Sequence, residues 1–228
     1  MVRTLKGKVV AIPASVTATG SAVARLVAAE QGELALGAAT AKQLQSTEAL
    51  IQDNDFAYAI QVDLERPKSV DEFFKIAIGQ FGHIDVIVLE AMKVAARSTL
   101  TEKSIGLGAR RLLHCLDAAL RHCTGDLHVV NISPVAGRYA IPVATAFLGA
   151  KLATNRSTAS SPPSLRMSVI SPFDGADSDD GTLARTVLHV LRESRTPDIT
   201  ETVLRRRPQQ PERRSKSFAA RSKIMVPL

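Results

Sequence analysis

The amino-acid sequence predicts an α/β protein built on a doubly wound parallel sheet. Three observations lead there. Short aliphatic and β-branched runs alternate with longer helical segments along most of the chain. The 228 residues carry 45% hydrophobic and 22% charged side chains, enough apolar material for one sizeable core. No apolar run approaches the roughly 18–20 residues of a membrane span.

The elements follow in order. Val9-Val-Ala-Ile12 lies between Lys8 and a small-residue turn and predicts a buried strand. Ser21 to Gln31, rich in Ala, Val and Leu, predicts a helix ended by Gly32. Leu34-Ala-Leu36 is the second strand, and a helix follows from Ala41 to Ile51. Ala57 to Val62 is the third strand, stopping at Asp63. Ser69-Val-Asp-Glu72 has the form of a capping box, opening a helix that would carry Phe73, Phe74, Ile76 and Ala77 inward. Ile84 to Leu89 is the fourth strand, Glu102 to His122 a long helix and Leu127 to Ile132 the fifth strand. A helix from about Val143 to Arg156 precedes the sixth strand, Met167 to Ile170. Leu183 to Glu193 is the last helix, with Asp179 and Asp180 suited to its N-terminus, and Thr200 to Leu204 the final strand. Right-handed crossovers between such strands give a Rossmann-like doubly wound sheet. Ligands of that architecture bind at the carboxyl ends of the strands, near the reversal in strand order.

The net charge of +7 has a local origin. Of the 29 basic and 22 acidic residues, eight and one fall between Arg205 and Leu228, leaving 21 of each in the body. Residues 1–204 are therefore expected to form the single domain and residues 205–228 a basic, partly disordered tail. Such a tail suits an acidic partner, but only Phe218 interleaves with its charge, so nucleic-acid binding is not the expectation. Cys115 and Cys123 stand eight apart on one expected helix, about 12 Å along its axis, too far for a disulfide. The five histidines are scattered without metal-ligand spacing, and no metal cofactor is expected. The N-terminus leads into a strand rather than a signal-peptide core, which suits a cytosolic protein without a membrane partner.

Several segments, in order, resemble the short-chain dehydrogenase/reductase family from about Leu5 to Leu204. Gly125-Asp-Leu-His-Val-Val-Asn-Ile-Ser-Pro-Val-Ala-Gly-Arg138 is similar to the family's fifth strand and catalytic-serine loop. Phe147-Leu-Gly-Ala-Lys151 stands where the family has YxxxK, and Gly82-His-Ile-Asp-Val-Ile-Val88 resembles its fourth strand. Val62-Asp63-Leu64 resembles the adenine-contacting turn, and Pro13 to Gly20 aligns with the TGxxxGxG turn.

The resemblance implies a nicotinamide cofactor, NAD or NADP, but many of its functional positions are altered. Only Gly20 of three turn glycines remains, and Ala14 and Ala18 should push a dinucleotide outward. Ser15, Thr17 and Thr19 offer hydroxyls to a phosphate at the helix N-terminus, or simply shape a strand–helix turn. The NNAG position reads Leu89-Glu-Ala-Met92, and Gly37-Ala-Ala39 supplies neither an acid for a ribose diol nor an Arg for a 2′-phosphate. The family's serine aligns with Pro134, its tyrosine with Phe147 and its helix asparagine with Gly106, while Lys151 is kept. Phe147 has no ionisable proton, so the family's proton route cannot run through it. Ser133 is one residue away, but strand alternation should turn it aside. The remaining candidates for catalysis are Lys151, Tyr139, Arg138 and Asp174, and for cofactor binding Ser15, Thr17, Thr19, Gly20, Asp63 and Lys151. Little sequence separates Asp177 from the last helix, so the family's substrate lid is expected to be largely deleted.

These substitutions favour a repurposed cleft that binds a small apolar or polycyclic metabolite and promotes a redox-neutral isomerisation or cyclisation of natural-product type. The alternatives are an atypical NAD(P)-dependent oxidoreductase and a non-catalytic pseudoenzyme or binding subunit. The resemblance also implies a homodimer or homotetramer.

Overall fold

The structure, a computed structural model, describes residues 4–51, 56–90, 102–132, 165–172, 179–193 and 201–204. Its strands are β1 (Val9–Ile12), β2 (Glu33–Ala38), β3 (Ala57–Gln61), β4 (Val86–Leu89), β5 (Leu127–Ile132), β6 (Leu165–Pro172) and β7 (Glu201–Leu204). Its helices are α1 (Ala18–Ala29), α2 (Ala41–Ile51), α3 (Pro67–Phe81), α4 (Glu102–His122) and α5 (Asp180–Arg192). The seven strands form one sheet in the order β3-β2-β1-β4-β5-β6-β7, and every pairing is parallel. The order reverses beside β1, which pairs with β2 on one side and β4 on the other. That reversal marks the crevice where a doubly wound sheet binds its ligands.

The central strands explain the apolar runs. All residues of β1, β4 and β5 are buried, because helices cover both faces of the sheet. Period-two alternation divides them between two cores. Val9, Ala11, Ile87, Leu89 and Val129 pack with Phe73 and Phe74 of α3 and Leu112 and Leu116 of α4. Val10, Ile12, Val86, Val88, Val130 and Ile132 pack with Val23 and Val27 of α1 and Leu183 and Val187 of α5. The phenylalanine rings meet edge-on, with centroids 5.4 Å apart.

Several helix boundaries differ from the sequence expectation. α1 begins at Ala18 rather than Ser21, because Thr17 caps it and accepts a hydrogen bond from the Gly20 amide. Its C-terminus places Gln31, not Gly32, at positive φ (62°). The Gln31 and Gly32 amides donate to Ala28 O and Val27 O, the paired bonds of a Schellman ending. Gly32 serves packing instead: a Cβ there would lie 2.6 Å from Val27 Cγ1. The expected capping box at Ser69 is not the start of α3. Pro67, with its φ preset for a helix, starts α3 two residues earlier after Arg66, which makes no side-chain cap bond. Ser69 instead accepts from the Asp63 amide. Reciprocal bonds of capping-box form do occur at α2, between Thr40 and Gln43. Phe73, Phe74 and Ala77 face inward as expected, but Ile76 is on the exposed side.

β6 is longer than expected at both ends, and only residues 173–179 separate it from α5, too few for a pair of lid helices. The helix expected from Val143 to Arg156 and the tail at 205–228 lie outside the described residues. Cys115 and Cys123 are free and buried, and burial pushes both thiols up to about 12. No helix among the described residues is long and apolar enough to cross a membrane.

Candidate functional site

The site is built where β1 gives way to α1. Ser15 is fully buried, and both its amide and its hydroxyl donate to Gly37 O at the end of β2, at 3.1 and 2.8 Å. That pins the turn onto the neighbouring strand. Gly37 has no room for a side chain, since a Cβ would sit 2.3 Å from Pro13 O and 2.6 Å from Val62 Cγ1. The small residues after β1 and within β2 therefore let three strand ends converge.

Thr17 Oγ1 accepts from the Gly20 amide at 2.9 Å and donates to Ala14 O at 3.2 Å. Gly20 is required by the turn itself, because its Cβ would lie 2.6 Å from Ala14 O and 2.8 Å from Thr17 Oγ1. Ser21 Oγ donates to Ser15 O and closes the turn from the helix side. The buried hydroxyl of Thr19 donates to Asp180 Oδ1 in the first turn of α5, at 2.5 Å. The three hydroxyls singled out as phosphate donors thus all make bonds within the chain. The first-turn amides of Ala18 and Thr19 have no partner among the described residues.

Asp63 follows β3 on the same edge. Its Oδ1 accepts from the Glu65 amide at 3.0 Å, which fixes the carboxylate in a local turn. The Val62 amide donates to Ala38 O, holding that turn against the end of β2. Asp63, Gly20, Thr17, Thr19 and Ser15 therefore share the carboxyl edge of the sheet. At the end of β4 stands half-buried Glu90, and at the ends of β5 and β6 stand buried Asn131 and Ser171. Gly106 on α4, expected from the resemblance at the family's asparagine position, is uncrowded, since a Cβ there would meet nothing within 4 Å. Lys151, Tyr139, Arg138 and Asp174 lie outside the described residues, as do Ser133, Pro134 and Phe147.

Among the described residues no group of three His, Cys, Asp or Glu could hold a metal ion. The structure contains a cleft of about 770 Å3, but it lies at the opposite, amino edge of the sheet. Lys8, His83, Asp85, His128 and Arg166 line it. Asp85 accepts from Lys8 at 2.7 Å and lies 3.0 Å from His83 Nε2. Arg166 Nη2 lies 2.7 Å from His128 Nδ1 and can only donate, so the ring carries its proton on Nε2. That proton is directed at Ser168 Oγ, 2.9 Å away. The ring cannot then accept the Ser168 proton, and the pair is not a nucleophile with its base.

Sequence reasoning missed the bond between Thr19 and Asp180, residues 161 positions apart in the chain. It placed Asp179 and Asp180 at a helix N-terminus, and Asp179 does cap α5, accepting from the Gly181 amide. Nothing local signalled that the next carboxylate would reach a different helix.

A parallel sheet that reverses beside β1, with a tight turn leading into α1 at its carboxyl edge, defines the Rossmann-like class of doubly wound α/β proteins. Residues 8–167 match the short chain dehydrogenase family, and the chain belongs to that family. Over 224 residues it is 24% identical to an uncharacterised oxidoreductase of Methylorubrum extorquens, covering 87% of this chain and 90% of that protein. An alcohol dehydrogenase from the archaeon Thermococcus sibiricus, complexed with 5-hydroxy-NADP, superposes with a TM-score of 0.60 at 22% identity. The match covers 90% of this chain and 99% of that one. A short chain dehydrogenase/reductase from Burkholderia phymatum in complex with NAD gives 0.63 at 15% identity, over 88% and 90% of the two chains.

Proposed function

We propose that this chain is an atypical NAD(P)-dependent oxidoreductase acting on a small, apolar carbonyl or alcohol substrate. The observation that carries this reading is the family match over residues 8–167. The names of the matched relatives are those of oxidoreductases and dehydrogenases, which supports this alternative above the redox-neutral isomerisation or cyclisation favoured from the sequence. Those comparisons give the isomerase, cyclase and pseudoenzyme readings no support.

The described residues fit a dinucleotide in outline. The first turn of α1 presents the Ala18 and Thr19 amides and the positive end of a helix dipole toward an anion. Asp63 stands on the edge where an adenine would lie, and Lys151 is proposed to bind the ribose. Ser15 and Thr17 act on the shape of this turn, since their hydroxyls hold it closed. A bound nicotinamide would supply hydride transfer. The chain must supply a proton, and Phe147 has none to give. Tyr139 is the proposed donor, with Arg138 and Asp174 as charges that steady the reacting oxygen. The span between β6 and α5 is short for a substrate lid, so slow turnover is expected. A homodimer or homotetramer is proposed with it.

Titration of NADH and NADPH, read by nicotinamide fluorescence, should show saturable binding. Hydride transfer to an apolar aldehyde or ketone should follow. No binding of either nucleotide at millimolar concentration would overturn the reading. Lys151→Ala should raise the cofactor KM, whereas Tyr139→Phe should lower kcat and leave cofactor binding unchanged.

A further inference from the structure

We infer that Asp180 is an internal anion that weakens the hold of this chain on a pyrophosphate. The inference rests on the oxidoreductase reading only in taking a dinucleotide as the ligand of this edge. α1 and α5 pack side by side on one face of the sheet, through Val23 and Val27 against Leu183 and Val187. Both begin at the carboxyl edge, so the positive ends of two helix dipoles converge there. In a phosphate-binding turn, that convergence is left for the ligand. Here it is answered from within. Asp179 caps α5 by accepting from the Gly181 amide at 3.2 Å. Asp180, the first residue of α5, reaches the other helix and accepts from Thr19 at 2.5 Å, a normal length for a hydroxyl on a carboxylate.

The position of that bond gives it its consequence. Thr19 is the second residue of α1, and its amide is one of the two first-turn donors left over for an anion. The Asp180 carboxylate is therefore held beside the donors on which a doubly charged pyrophosphate would depend. A fixed like charge within a few ångströms should weaken binding by roughly tenfold at ordinary ionic strength. Thr19 is buried, so the carboxylate is bonded to a side chain that cannot swing into solvent. Thr17 adds to the effect by capping the third amide of the turn, that of Gly20. Together these contacts fold the turn stably without a ligand, and leave Asp180 as its standing competitor.

The test is Asp180→Asn, which removes the charge and keeps an oxygen to accept from Thr19. NADH, NADPH and ADP are titrated by calorimetry into the full chain and into this variant. Glu72→Gln on the exposed side of α3 serves as the charge-matched control for anion binding by the basic tail. Tightening by about tenfold for all three nucleotides, with Glu72→Gln unchanged, supports the inference. Equal or weaker binding by Asp180→Asn overturns it, including the case where neither protein binds. Should the Asn variant not fold, as read by circular dichroism, Asp180→Ser makes the same change of charge and faces the same criterion. Tighter nucleotide binding without hydride transfer would sink the oxidoreductase reading and leave this one standing. Turnover with unchanged affinity would do the reverse.

Discussion

The two edges of the sheet solve the same problem in different ways. At the amino edge, charges are numerous and meet one another across a cleft: Lys8 and His83 on Asp85, Arg166 on His128 and His128 on Ser168. Among the described residues of the carboxyl edge, hydroxyls close a tight turn. Ser15 holds β2, Thr17 holds α1, and Thr19 holds the carboxylate of α5. Among the described residues a cleft of about 770 Å3 lies at the amino edge, whereas the helix N-termini that favour an anion lie at the carboxyl edge. Parallel strands with helical crossovers impose this, because every helix of such a unit starts above the strand ends. Anion binding is thus expected at the carboxyl edge.

Four measurements would break or sharpen that contrast. Gly37→Ala should have the largest effect, destabilising by about 3 kcal/mol in urea unfolding, since its Cβ meets backbone rather than a yielding side chain. A loss below about 1 kcal/mol would show that the carboxyl edge can relax and is not tightly built. His128→Leu at the amino edge should cost about 2 kcal/mol, because Ser168 and Arg166 lose a buried polar partner. It should leave nucleotide binding unchanged, and a change in affinity would contradict the separation of the two edges. Thr17→Ala should cost about 1 kcal/mol through loss of the α1 cap.

The smallest effect concerns the face between the edges. Asp71 of α3 accepts from His122 of α4 at 2.7 Å and also pairs with Lys75 and Arg121. The His122 bond leads in holding its carboxyl below the usual value of 3.8, and partial burial opposes it. A lowered carboxylate stabilises the fold above its unfolded value, and that stabilisation is lost as pH falls through the lower folded value. Stability of the wild type should therefore decline below about pH 4, and Asp71→Asn should reduce the slope of that decline. An unchanged slope in acid denaturation would remove Asp71 from the α3–α4 contact.

Most of the fold was legible because its signals are local. Leu127–Ile132 and Glu102–His122 have the bounds read from the sequence, since a β-branched run and a long amphipathic segment carry their own periodicity. Where two local signals competed, the reading failed. Pro67 and Ser69 both announce a helix start, and the residue that needs no amide partner prevailed. Gly32 is the local signal for the end of α1, but close packing on Val27 claimed the glycine and left Gln31 at positive φ. The site was less legible. Ser15, Thr17 and Thr19 were recognisable as hydroxyls at a helix start, but their partners Gly37, Gly20 and Asp180 come from three different elements.

By itself the sequence determined the alternation of strands and helices and the family resemblance. Those properties belong to single residues or to neighbours in the chain, where periodicity and side-chain chemistry act directly. Only the tertiary structure decided that Thr19 would meet Asp180 and that the large cleft would open at the amino edge. Both depend on how α1 and α5 lie side by side over a sheet whose order reverses at β1, an arrangement set by burial of two cores. Hydrophobic burial is not directional along the chain, so the polar contacts it brings together have no local signature.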